Sequence, residues 1–141
     1  MDYYNTIVNR LMKQYPRETY GGQLDYTGRQ MLGNKWGGVY PSDAIPPPQI
    51  EKPYIIVNLD KRNEPGSHWV AIAYDKGTNY VYDSFGRKTT KILPALKQRG
   101  GFIKEADRDP EQSVDEDNCG QRCLAWLKVF NDLGKRAALK I

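Results

Sequence analysis

An α+β fold is what the chain predicts, and three observations carry that expectation. At Cys119 a polar, acidic loop gives way to apolar residues at helical spacing. Cys123, Leu124, Leu127, Phe130 and Leu133 recur at three and four, the period of a helix with one buried face. Two runs rich in β-branched and aromatic residues, His68–Tyr74 and Asn79–Asp83, are joined through Asp75-Lys-Gly-Thr78 and read as an antiparallel hairpin. Upstream of them, Tyr54–Leu59 reads as a buried strand.

The remaining elements follow in order. Residues 2 to 14 place Ile7, Val8, Leu11 and Met12 on one helical face, and Pro16 stops the pattern. Residues 15 to 41 are rich in Gly and Tyr and carry no sustained period, so a loop shaped by function or by a partner is expected there. Ser42-Asp43 can cap at most one helical turn before the extended Pro46-Pro47-Pro48. Lys61–Ser67 is turn-rich. Thr89-Thr90 can cap a helix running to about Arg99 with Ile92, Leu93 and Leu96 inward, although Pro94 lies past its first turn. Gly101–Ile103 is a short candidate strand. Gly21-Gly22 and Gly100-Gly101 read as turns, with self-cleavage sites as the alternative.

The chain's 141 residues suit one domain, 1–141, with a core that needs no disulfides. It holds no apolar run of membrane-spanning length and opens on the polar Asp2-Tyr3-Tyr4-Asn5, so a soluble, intracellular or particle-enclosed protein is expected, with no membrane partner. The two cysteines, Cys119 and Cys123, lie four apart on one expected helix and are expected to stay reduced. A net charge of +4, with basic residues concentrated only at Lys128 to Lys140, is compatible with nucleic acid but fits an ordinary solvated surface better.

Chemistry concentrates on a few residues. Cys119 falls in the first turn of its helix, where unpaired N–H groups and the macrodipole favour an anion and bias a thiol toward thiolate. A small buried hydrophobe is the structural alternative for such a cysteine. Gly120 leaves the backbone open to close approach, and its N–H suits an oxyanion on a substrate carbonyl. Gln112, seven residues upstream, offers an amide donor to the same hole. The single histidine, His68, stands where a loop enters a strand. If the hairpin pairs around Lys76-Gly77, Asp83 comes close to Trp69 and within one step of His68, which completes a nucleophile, base and orienter. Trp69 either walls a cleft or packs on the core. The chemical rival is a zinc site of Cys119, Cys123, His68 and Asp83, which leaves Gln112 and Gly120 without a role.

His68-Trp69, then Asp83-Ser-Phe-Gly86, then Gln112 followed by Cys119-Gly120, resembles the adenovirus maturation protease (adenain) family and its relatives in virophages and Polinton-like viruses. The order and spacing are more distantly similar to the SUMO-deconjugating cysteine proteases. Trp36–Pro46 and Ile55–Asn58 are similar to the segment before the family's histidine, so the resemblance spans roughly residues 34 to 133.

The resemblance implies a mixed central sheet with the nucleophile-bearing helix packed against it, a papain-like superfold with permuted catalytic order. It implies Cys119 as nucleophile, His68 as general base, Asp83 as third member and Gln112 as oxyanion donor. It further implies a narrow cleft walled by Trp69 and Trp36, and a thiol endopeptidase that processes capsid and core precursors at Gly-containing sites during virion maturation. The expected locations are the virion and the host cytoplasm, viral factory or nucleus. No cofactor is implied for the chemistry, while stimulation by DNA or a viral peptide is. This chain is shorter than adenain, so the family's C-terminal elements are expected to be missing. The alternatives are a deconjugating protease acting on ubiquitin-like tails and a catalytically silent binding module of the same fold.

Overall fold

A computed structural model describes residues 2–60, 68–107, 109–112 and 116–141, with backbone alone at Lys91 and Ile92. It is an α+β structure whose five-stranded mixed sheet has the spatial order β1-β2-β3-β4-β5. Helix α1, Asp2–Gln14, buries Tyr4, Ile7, Val8 and Leu11. Its charges suit the macrodipole, with Asp2 in the first turn and Lys13 in the last.

The region expected to be a loop is regular. Residues Gly21–Leu32 form α2, a 3-10 turn follows over Gly33–Lys35, and Trp36–Tyr40 is the edge strand β1. The Gln23 carboxamide accepts the Tyr20 N–H at 2.8 Å, half of a capping box that starts the helix. The buried face of α2 is Leu24, Thr27, Gly28 and Leu32, so two of its four members are not apolar and no stripe shows in the sequence. Gly28 is required there: a Cβ would meet the Trp36 indole at 2.5 Å.

Strand β2 (Tyr54–Asn58) runs parallel to β1 and antiparallel to β3 (Trp69–Asp75), which pairs antiparallel with β4 (Thr78–Tyr82). The β3–β4 turn carries positive φ at both Lys76 (48°) and Gly77 (83°), as a two-residue hairpin of right-handed twist requires. Asp75 pairs with Thr78 and Ala71 with Tyr82, the register of a turn at Lys76-Gly77.

After β4 the expected long helix breaks in two. Helix α3 is the single turn Thr89–Ile92, Leu93 takes an extended φ of −142°, and a 3-10 helix covers Pro94–Arg99. Pro94 has no N–H to continue the α ladder and instead opens the new segment. Lys88, not a threonine, holds the N-cap position. Strand β5, Phe102–Glu105, adds parallel to β4 at the other edge. The Lys61–Ser67 loop lies outside the described residues, as does the inward-facing side chain expected of Ile92.

Helix α4, Cys119–Leu133, is the centre of the molecule and is buried on nearly all sides rather than on one face. Tyr54, Ile56, Ala71, Ala73, Tyr80 and Tyr82 present one face of the sheet to the cluster that contains α4. Ala71 and Ala73 on β3 are small enough for the helix to lie close, and Tyr82 stacks on Trp126 at 5.5 Å. The opposite sheet face buries Ile55, Val57, Val70, Ile72 and Val81 under Leu93 and Leu96. Leu133, expected on the buried face, is 58% exposed, because the helix runs past its partners by its last turn. A fifth helix, α5 (Lys135–Leu139), folds back so that Ala138 O accepts the Trp126 indole N–H at 2.8 Å. Within the basic stretch, Lys128 pairs with Asp132 at 3.4 Å and Lys135 with Asp75 at 3.5 Å. No described helix is long and apolar enough to cross a membrane.

Candidate active site

The hairpin delivers His68 and Asp83 to the same end of the sheet. His68 Nε2 and Asp83 Oδ1 are 2.6 Å apart, and both side chains are almost wholly buried. Burial alone would raise the Asp83 pKa. Hydrogen bonds and charge from His68 and Arg87 outweigh it and hold the carboxyl well below the usual carboxylate range. In the neutral imidazole, an ionised acceptor at this distance holds the ring proton on Nε2 and turns the lone pair to Nδ1.

Two neighbours of this pair escaped the sequence reading. Arg87 donates from Nε to Asp83 Oδ2 at 2.9 Å, and its backbone N–H reaches the same oxygen at 3.0 Å. Phe85 stacks on the His68 ring at 4.7 Å with the Arg87 guanidinium 5.0 Å from its centroid. Both follow Asp83 closely in the chain; the four-residue spacing from Asp83 to Arg87 is a signal for their pairing, while the stack of Phe85 on His68 depends on the fold. Arg87→Ala is expected to cost about 1 kcal/mol, given a guanidinium partly exposed to solvent. Asp83 contributes stability above the ordinary carboxylate range and loses it as pH falls through its depressed pKa. Without Arg87 that depression shrinks, so acid unfolding followed by circular dichroism should begin at higher pH. An unchanged acid limb would remove Arg87 from this account.

Cys119 opens α4 and is buried. Burial raises its thiol pKa, the N–H groups of Trp69, Gly120 and Cys119 itself oppose the rise, and the Asp83 charge adds to it. The net direction is upward, which corrects the expected bias toward thiolate: desolvation outweighs the helix terminus. The Trp69 N–H contact places the sulfur against the residue that follows His68. Cys123 is fully buried, with its thiol pushed up further by desolvation.

Asn118 holds the N-cap position without making a side-chain cap, so the first N–H groups of α4 are not taken by it. Its Oδ1 instead accepts from Arg122 Nε at 3.1 Å, and its amide donates to Glu116 Oε2 at 3.2 Å. Gln112 is buried; Oε1 accepts the Ser84 hydroxyl at 2.5 Å and Nε2 donates to Glu116 O at 2.6 Å. A carboxamide nitrogen carries two hydrogens, and among the described residues Glu116 O takes one of them. Asp115, weighed as a charge near the thiol, lies outside the described residues.

Gly120 serves packing. A methyl there would collide with Thr19 Oγ1 and lie 2.9 Å from Leu24 Cδ2. Trp69 is half-buried, and its indole N–H donates to Thr19 O at 3.2 Å. Gln121 Nε2 donates to Tyr15 O at 2.8 Å and Arg17 O at 2.6 Å, which lashes residues 15–19 alongside Cys119. A cavity of about 490 Å³ lined by Tyr15, Arg17, Glu18, Tyr20, Gln23 and Asp117 adjoins this segment. Trp36, expected as a second cleft wall, is only 4% exposed. Its indole N–H binds Asp25 at 2.9 Å and its ring covers Gly28, so it is a core residue under α2.

Behind Gln112 lies a buried polar cluster. The Tyr4 and Tyr82 hydroxyls are 2.5 Å apart, and Arg122 Nη1 donates to Tyr4 at 3.1 Å. Burial pushes Tyr4 up to about 12. It also raises Glu111 from 4.5 to about 7, with the Tyr82 hydroxyl the main opposing influence; among the described residues neither buried carboxyl oxygen makes a hydrogen bond of good geometry. The folded state therefore binds this proton more tightly than the unfolded chain. Its contribution is full below pH 4.5 and is lost as pH rises through 7. Glu111→Gln should stabilise the protein at pH 8 by roughly 1 kcal/mol, discounted for a half-buried group, and by much less at pH 4.5. Urea titrations at both pH values test this, and equal differences would refute it.

Among the described residues no group of three or more His, Cys, Asp or Glu side chains is arranged to hold a metal ion. Asp83 is committed to His68 and Arg87, and Cys123 is sealed in the core, so the zinc alternative finds no support in this geometry. No protein-family model and no curated protein matches the chain.

Proposed function

We propose that the chain is a cysteine endopeptidase of the adenain type, with a papain-like arrangement in permuted order, that processes viral capsid and core precursors at Gly-containing sites during virion maturation. One observation supports this above the others. A histidine with Nε2 held by a depressed carboxylate at 2.6 Å lies next in sequence to the residue whose N–H meets a helix-start thiol. In this reading His68 Nδ1 takes the Cys119 proton as sulfur attacks the substrate carbonyl carbon. The oxyanion meets the N–H groups at the start of α4 and the second Gln112 hydrogen. The imidazolium then protonates the leaving nitrogen as the C–N bond breaks, and water releases the acyl group by the same path. Because burial keeps the resting thiol neutral, proton transfer accompanies substrate arrival instead of preceding it.

The test is a peptide electrophile carrying Gly next to a vinyl sulfone, read by mass spectrometry, together with cleavage of a Gly-rich peptide library. Labelling confined to Cys119, lost in His68→Ala, and cleavage lost in Cys119→Ala are expected. Labelling of the free thiol by iodoacetamide should be slow at neutral pH and rise on the alkaline side. No cleavage and no electrophile labelling, with or without added DNA or capsid-derived peptides, would reduce the site to a binding module.

A further inference from the structure

Arg99 closes the 3-10 helix on the sheet face away from α4, and it is only 9% exposed. Its Nε donates to Pro46 O and its Nη1 to Asn79 Oδ1, each at 2.9 Å. Asn79 is itself fully buried, and its amide nitrogen donates to Gly100 O and Phe102 O, which turns the oxygen toward Arg99. Both partners are neutral. Among the described residues no carboxylate forms an ion pair with this guanidinium. A buried charge without a countercharge is costly, and arginine cannot shed its proton to escape the cost.

Arg99 also lines a cavity of about 460 Å³, within the range that holds small ligands. The remaining walls are Ser42, Asp43, Ala44, Ile45, Pro47, Ala95 and Gln98. Polar donors therefore lie beside an apolar floor. A carboxylate matches the fork of guanidinium N–H groups, and its single charge offsets the single charge of Arg99.

We propose that this cavity is a binding site for a monocarboxylate with a short apolar body, its carboxylate on the remaining N–H groups of Arg99 and its body against Ile45, Pro47 and Ala95. The site is separate from His68 and Cys119 and does not depend on their chemistry. A free aliphatic acid and the C-terminal carboxylate of a peptide share this chemistry.

The test is ¹H–¹⁵N correlation spectroscopy of the full chain titrated with isovalerate, isovaleramide, inorganic phosphate, and an N-acetylated peptide ending in valine as acid or as amide. Saturable shifts of the Arg99 Nε–H and the Ala44, Ile45 and Gln98 amides with an acid, and none with its amide, are expected. Stronger binding of isovalerate assigns a free acid as the occupant, and stronger binding of the peptide acid assigns a chain terminus. Arg99→Met should weaken binding by about 10- to 100-fold, the worth of charge-assisted hydrogen bonds. Ala95→Leu, which fills the cavity and leaves Arg99 in place, should abolish it if Arg99→Met fails to fold. Absence of saturable shifts with either acid, equal response to acid and amide, or tighter phosphate binding overturns the proposal.

Discussion

Cys119→Ala and His68→Ala are each expected to lower kcat/KM for a cleaved Gly-containing peptide by about ten-thousand-fold or more, and the double variant should be little worse than either. In the proposed mechanism Cys119 and His68 act on one proton, so removing one leaves the other nothing to do. Asp83→Asn should cost roughly a hundredfold less than either, because an amide oxygen can still receive the His68 Nε2–H. The structure adds a burden to that variant. Asp83 also accepts from the N–H of Phe85 at 3.3 Å and from the Arg87 backbone and guanidinium. An amide that keeps its oxygen for His68 turns its NH₂ toward the Arg87 donors, so some of the loss should appear as stability. Measuring kcat/KM beside urea midpoints separates the two. Equal kinetic loss in all three single variants contradicts the proposed roles.

Much of the scaffold is legible because its apolar residues keep a period. Ile7, Val8 and Leu11 mark α1, the β-branched run marks β2, and Lys76-Gly77 marks the tight turn between β3 and β4. Helix α2 is hidden because Thr27 and Gly28 occupy its buried face, and Gly28 is there to admit the Trp36 ring. That ring is the same side chain expected at the cleft, so one misplaced loop moves one aromatic residue from core to site. Helix α5 is hidden for a related reason: what holds it is a backbone carbonyl at Ala138 receiving the Trp126 N–H, which leaves no mark on composition. Within the site, the pairing of His68 with Asp83 is foreshadowed by hairpin register and residue type. Phe85, Ser84 and Arg122 are not, since each acts on a residue that only the fold brings near, and Arg87 is marked only by its four-residue spacing from Asp83. The thiol's electrostatics were legible in sign only for the helix terminus; how deeply α4 sits, and hence the desolvation that outweighs it, is a property of packing.

Gly120→Ala separates local propensity from packing. In an exposed helix this change stabilises by about 1 kcal/mol, since alanine loses less backbone entropy than glycine. Here the new methyl would press on Thr19 Oγ1 and on Leu24 Cδ2, and overpacking of this kind costs about 1–3 kcal/mol. Net destabilisation of about 1 kcal/mol is expected, visible as a lowered urea midpoint at unchanged slope. The same push falls on the segment that bears Thr19 O, the acceptor of the Trp69 indole, so cleavage should fall along with stability. Thr19 offers the means to check the cause. Its hydroxyl is buried with no hydrogen-bond partner among the described residues, so Thr19→Ala alone should be nearly neutral. Combined with Gly120→Ala it should recover part of the lost stability, the remainder being the Leu24 contact. A Gly120→Ala variant more stable than wild type would show that α4 and residue 19 have room between them, and the packing reason for glycine beside the nucleophile would fall, leaving close approach of a substrate carbonyl as the reason for its small size.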